Sequence, residues 1–152
     1  MAPILTTIFV VAVLLSLAIF LWQKYTSDQR RMLEQHSITA EELHLLLGSQ
    51  QAVALFDVRQ PLDLLAHTEI IPGARRIPPA EALATPDLIP KDKEAIVYCT
   101  CPGDETSRAV LRRALDLQFS RIKFLKGGLE AWKAKGYPVE PYNEPFHLDT
   151  AT

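Results

Sequence analysis

IVYCTCPGDETSRAVLRRAL, running from Ile96 to Leu115, is the stretch on which the fold turns. Ile96 to Tyr98 reads as a short buried strand, and Val110, Leu111, Ala114 and Leu115 recur at the spacing of one apolar helix face. Between them lies a turn with two thiols, Cys99 and Cys101. A helix start presents unpaired N–H groups and about half a positive charge, so an anion is stabilised there. A thiolate is such an anion, and cysteines in that setting have lowered pKa values and become nucleophiles. Cys99, at the strand exit, is the first candidate for chemistry and Cys101 the second.

Upstream, VALFDV (Val53 to Val58) is a second apolar run, broken only by Asp57 and too short for a helix, as expected of a strand covered on both faces. Asp57 and Arg59 fall at its exit, and open parallel sheets bind ligands beyond the carboxyl ends of their strands. Downstream, Arg121 to Leu125 is a strand joined by Lys126-Gly127-Gly128 to a helix over Leu129 to Lys135, which Gly136 stops. An earlier helix opens with Thr39 as N-cap, Glu42 as its capping-box partner and Ile38 stapled against Leu43, and Gly48 is placed at its C′ position. Pro61 to Leu65 suits a short helix, Ile71-Pro72-Gly73-Ala74 a turn, Arg75 to Ile77 a strand, and Ala80 to Pro90 one helical turn among prolines. Tyr137 to Val139 is an extended closing segment, and the polar residues from Glu140 are expected to fray. This alternation predicts an α/β fold: a small sandwich with a parallel sheet of four to five strands and helices on both faces.

Composition accounts for the amino-terminal remainder. Met1 to Gln23 holds no charged side chain, whereas all 16 basic and 18 acidic residues follow it. About 20 apolar residues span a bilayer core as a helix, so residues 1–25 are expected to be a transmembrane anchor, with Trp22 and Tyr25 at the interface. A cleaved signal peptide is the rival, but it calls for a basic leading region and a shorter apolar core. Residues 26–36 then continue the helix or form a juxtamembrane linker, with 37–141 the domain and 142–152 a polar tail. Lys24, Arg30 and Arg31 follow the span and no basic residue precedes it, which places the domain on the cytoplasmic side. Two cysteines also suit a reducing compartment. A net charge of -2 without a basic stripe argues against nucleic acid as a partner. A C-x-C pair with scattered histidines is not a closed ligand set, so neither a metal nor another cofactor is expected.

Three further stretches carry a family resemblance. Asp57-Val58-Arg59-Gln60-Pro61, His67 through Ile71-Pro72-Gly73-Ala74 to Ile77-Pro78, and Leu125-Lys126-Gly127-Gly128 with Ala131-Trp132 and Gly136-Tyr137-Pro138-Val139 occur in order over Ser37 to Pro141. In these the chain resembles a single-domain rhodanese, a sulfurtransferase. The resemblance implies that a thiolate takes the outer sulfur of a donor, thiosulfate or a persulfide, holds it as a persulfide and yields it to a thiol or cyanide. Cys99 matches the family nucleophile best. Thr100, Pro102, Gly103, Asp104, Glu105, Thr106, Ser107 and Arg108 would cradle the substrate, and Asp57 and Arg59 would support the loop. The family loop has Cys, two residues, Gly, one residue, Arg, Ser; here it is longer, with a second thiol, an acidic pair and no arginine before Arg108. Thr68 and Glu69 are extra between His67 and the Ile-Pro-Gly turn.

Each residue also has a plainer reading. Cys99 is then a small buried hydrophobe ending a strand; Cys101 resolves a persulfide, is itself the nucleophile, tunes the loop or is inert. Asp104 and Glu105 cap a helix start, although the same charges would raise a thiol pKa and repel an anionic donor such as thiosulfate. Arg59 pairs with Asp63 or another acid, Asp57 accepts hydrogen bonds to orient a loop, and Arg108 either binds an anion or lies on a solvated face. Trp132 packs in the core beside Leu129, and His36, His44 and His147 show no chemical partners. A phosphatase would need five residues between cysteine and arginine, a count neither thiol meets. The competing function is a catalytically silent module that recruits a protein partner, itself unspecified by the sequence, to the membrane.

Overall fold

β5 (Glu94–Tyr98) is the central strand of a five-stranded sheet, in a computed structural model that describes residues 2–49 and 51–143. β6 (Ile122–Leu125) and β2 (Val53–Asp57) flank it, with β1 (Ser37–Ile38) beyond the first and β4 (Arg75–Arg76) beyond the second. Every pairing is parallel, with Leu55 opposite Ile96, Asp57 opposite Tyr98 and Val97 opposite Phe124. Apolar runs without alternation are what a parallel sheet covered on both faces requires.

Strand side chains alternate between faces. Leu55, Ile96, Tyr98 and Leu125 share one core with Leu43 of α2 (Ala40–Gly48) and with Leu129 and Trp132 of α6 (Gly128–Ala134). The alternate positions face α5 (Glu105–Asp116), whose Val110, Leu111 and Ala114 are buried and whose Arg108 guanidinium sits 5.3 Å from the centre of the Phe124 ring. α4 (Pro79–Ala84) packs beside α5, and α3 (Pro61–Ala66) follows β2. The expected sandwich is therefore present, with a sheet of five strands.

Local signals set several boundaries. The Thr39 N–H donates to Glu42 Oε2 at 2.8 Å and the Glu42 N–H to Thr39 Oγ1 at 3.2 Å, closing the capping box. Gly48 is not a C′ residue: it ends the helix itself, and the Ser49 N–H returns to the Leu46 carbonyl at 3.1 Å. The prolines of Pro78 to Pro90 accommodate α4 and a 3-10 turn at Pro86–Leu88, more helix than expected, because Pro79 and Pro86 occupy first-turn positions where no N–H is needed. Glu140 does not begin a frayed tail. Its strand β7 (Glu140–Pro141) pairs antiparallel with β3 (Glu69–Ile70), and the Tyr142 N–H donates to the Thr68 carbonyl at 2.7 Å. The extra residues Thr68 and Glu69 supply that partner edge. The rest of the expected tail, with His147, lies outside the described residues.

The chain divides at residue 35 into two units. The first is a single helix, α1 (Ala2–Gln35), so residues 26–35 continue the helix, one of the two expectations for them. At 1.5 Å per residue its 34 residues reach about 51 Å. It is long and apolar enough to cross a membrane, and large side chains such as Phe9 (70% exposed) and Trp22 (68%) stand uncovered along it.

Candidate functional site

Asp57 and Arg59 leave the end of β2 as a buried ion pair, both fully enclosed. Arg59 Nε lies 2.9 and 2.8 Å from the two carboxylate oxygens of Asp57, and Nη2 lies 2.5 Å from Oδ2. The guanidinium also donates to the carbonyls of His67 and Glu69, both at 2.8 Å. Asp57 accepts from the Arg59 N–H at 3.0 Å and from the Tyr98 hydroxyl at 3.4 Å, and that hydroxyl accepts from the Ile71 N–H. Burial and the Asp57 charge push the Tyr98 phenol far above its ordinary value, so it stays protonated. The partner of Arg59 is thus Asp57 and not Asp63. Every bond of this hub stays inside the fold, binding the end of β2 to the segment that leads into β3.

The second feature begins one residue past β5. Cys99 is fully buried, Cys101 half-buried, and their sulfurs are 2.7 Å apart as free thiols. The Thr106 N–H, in the first turn of α5, donates to Cys101 Sγ at 3.3 Å, and that thiol lies 3.4 Å from Thr106 Oγ1. A 3-10 turn at Pro102–Asp104 folds the loop back, with the Asp104 N–H on the Cys101 carbonyl at 3.1 Å and Gly103 and Asp104 both at positive φ.

The loop is clamped by the turn between β6 and α6. Asp104, 7% exposed, makes no side-chain cap to α5; its Oδ2 accepts the Gly127 N–H at 2.9 Å. It is therefore not half of the expected capping pair, while Glu105 stays exposed at the helix start. On the other side the Leu129 N–H donates to the Cys99 carbonyl at 3.1 Å. Gly128 comes so close that a Cβ there would lie 1.8 Å from the Cys99 oxygen, at a φ of +51°. Only glycine fits. Sequence reasoning took Gly127-Gly128 for a tight connection alone; paired glycines after a strand were the visible sign of close backbone approach.

Burial changes the expected electrostatics of the first thiol. Loss of solvent, and next the adjacent Cys101 thiol, push Cys99 up to about 11, whereas the hydroxyl and N–H of Ser107 and the N–H of Cys101 pull the other way. The expectation of a Cys99 thiolate ionised on the rim of the sheet is corrected: in this arrangement Cys99 keeps its proton, and the two acids are not what raises it. The Ser107 hydroxyl, fully buried, has that sulfur as its neighbour, and the buried Thr100 Oγ1 and Arg108 Nε complete no hydrogen bond. Arg108 lies over Phe124 rather than on a solvated helix face.

The structure thus gathers Cys99, Thr100, Cys101, Asp104, Thr106 and Ser107 into one loop and holds Asp57 and Arg59 in a separate network. Trp132 is buried as expected, its indole N–H on the Pro138 carbonyl at 2.8 Å. The histidines do have partners: His36 Nδ1 is 2.9 Å from the Ile122 carbonyl oxygen, and His44 stacks on Tyr137 with ring centres 4.1 Å apart.

The chain is similar to several known proteins. A sulfurtransferase of Allochromatium vinosum is 27% identical over 104 residues, which cover 68% of this chain and 94% of that protein. A probable adenylyltransferase/sulfurtransferase of Mycobacterium tuberculosis is 32% identical over 118 residues, 73% of this chain but only 28% of that longer protein. The crystal structure of a rhodanese-related protein from Thermoplasma volcanium superposes with a TM-score of 0.56 at 28% identity, covering 69% of this chain and 97% of that one. The family profile of the rhodanese-like domain matches residues 39–135, more than half of the chain, and the protein belongs to that family.

Proposed function

We propose that the protein is a membrane-tethered sulfurtransferase, moving a sulfane sulfur from a persulfide or thiosulfate donor to a thiol or cyanide acceptor through a cysteine persulfide on loop 99–107. The observation that carries this reading is the Thr106 N–H aimed at Cys101 Sγ, at the start of a 12-residue helix and beside a second thiol. Such a donor stabilises negative charge as it develops on sulfur. The sulfurtransferase names of the Allochromatium and Mycobacterium relatives support the same chemistry. Glu105, exposed at the loop, repels an anionic donor, so a persulfide is the better substrate than thiosulfate. Thiosulfate turnover that fails to improve in Glu105→Gln removes that preference.

Intact mass tests the reaction. After exposure to glutathione persulfide, at least one of Cys99→Ser and Cys101→Ser gains a sulfur atom, and the double variant gains none. The complete burial of Cys99 favours a second reading, a silent module that brings a partner to the membrane. Absence of both sulfur uptake and hydrosulfide release, in the parent and in both single variants, establishes that reading instead. The apolar helix and the basic residues Lys24, Arg30 and Arg31 that follow its uncharged span support anchoring with the domain in the cytoplasm. Digestion of the domain by protease added outside intact cells overturns that orientation.

A further inference from the structure

The two thiols differ in access and in surroundings. Cys101 is the one that solvent reaches, and it carries the backbone N–H donor. Cys99 lies behind it, sulfur against sulfur at 2.7 Å, beside the fully buried Ser107 hydroxyl. An incoming donor therefore meets Cys101 first. The Cys99 sulfur is near enough to attack Cys101 Sγ once a sulfur has been added there.

We infer that Cys101 and Cys99 act in sequence as an accepting and a resolving thiol, so that the loop reduces the sulfane sulfur of a small persulfide to hydrosulfide and is left as a Cys99–Cys101 disulfide. The inference rests on the sulfurtransferase reading and extends it. In the first step the Cys101 thiolate attacks the outer sulfur of the donor. The Cys101–sulfur bond forms, the donor's S–S bond breaks, and its electron pair leaves with the donor thiolate. In the second step Cys99 Sγ attacks Cys101 Sγ. The Cys99–Cys101 bond forms, the bond to the outer sulfur breaks, and that sulfur departs with the electron pair and the Cys99 proton as hydrosulfide. Two electrons pass from the dithiol to the sulfane sulfur. Two equivalents of a small thiol, or one of a dithiol, then reduce the disulfide and close the cycle. A ring closed across the single residue Thr100 is strained, which keeps it open to such reduction.

The raised affinity of Cys99 for its proton leaves the first attack to the more exposed Cys101, and in the second step Cys99 gives up that proton to the departing sulfur as it attacks. The Ser107 hydroxyl beside it favours negative charge on that sulfur.

The test uses the full chain in detergent, reduced, desalted and mixed with glutathione persulfide without other reductant. The parent protein releases one hydrosulfide per chain in a burst and loses both thiols, and its peptide 94–108 is found lighter by two hydrogens. Cys99→Ser keeps an added sulfur on Cys101 and shows no burst. Cys101→Ser neither takes up sulfur at a comparable rate nor releases hydrosulfide. The parent stoichiometry reads the relay without any variant, so a misfolded Cys99→Ser leaves it decidable. A parent that holds a stable persulfide and both thiols, or a Cys101→Ser variant that takes up sulfur on Cys99 as fast as the parent, overturns the relay while leaving sulfur transfer in place. No sulfur uptake and no hydrosulfide from any form overturns the sulfurtransferase reading itself.

Discussion

Neighbouring strands of one sheet end in two buried polar clusters of opposite character. Beyond β2, Asp57 and Arg59 meet each other, two carbonyls and a phenol, so the hub is satisfied internally. Beyond β5, the thiol loop keeps the buried Thr100 hydroxyl and the Nε of Arg108 without partners. A buried polar group left unpaired costs about 1–3 kcal/mol. The hub is therefore the settled end of the sheet, and the loop the one that carries unpaired polar groups.

The largest effect expected from testing this contrast is on the hub. Arg59→Met leaves the Asp57 carboxylate buried and uncompensated and lowers unfolding free energy by about 3–5 kcal/mol in a denaturant titration. A smaller loss, accompanied by lost sulfur uptake in the folded fraction, would move Arg59 from scaffold to site. Gly128→Ala drives a methyl into the Cys99 carbonyl and costs about 2–4 kcal/mol, with displacement of the loop seen as faster alkylation of Cys99. Asp104→Ala frees the Gly127 N–H and unpins the loop, for about 1–3 kcal/mol and a milder gain in Cys99 alkylation.

pH sharpens the comparison further. The folded Cys99 thiol holds its proton up to about 11 against an ordinary 9.0, so the stability tied to it is complete below pH 9.0 and is lost as pH rises through about 11. Denaturation midpoints across that window should fall in the parent and less in Cys99→Ala. The smallest effect belongs to Ser107→Ala: its hydroxyl has only the Cys99 sulfur to act on, so stability changes by less than about 1 kcal/mol while Cys99 alkylation at alkaline pH slows.

What could be read from residue order was what depends on near neighbours. The capping box at Thr39 and Glu42, the strand-to-helix change at Cys99 and the stop at Gly136 are decided within a few residues. The protonation of Cys99 was not legible, because its largest cause is burial by the packed fold, which residue order does not show. The role of Asp104 was hidden for the same reason: a carboxylate at a helix start is normally a cap, and here a distant N–H wins it. The partner of Arg59 was left open between Asp63 and another acid, because an acid two positions back on an extended chain gives no spacing signal. Two-residue strands such as β3 and β7 carry no periodic signal at all.

The β3–β7 ribbon sets a practical limit on dissecting the molecule. A fragment cut where the family match stops, at residue 135, would strip Glu69–Ile70 of its hydrogen-bonding edge, close to the carbonyls that Arg59 holds. Such an unpaired edge invites other chains to add to it. A soluble version meant for crystallisation or kinetics should therefore extend through Tyr142, whatever is trimmed from the other end.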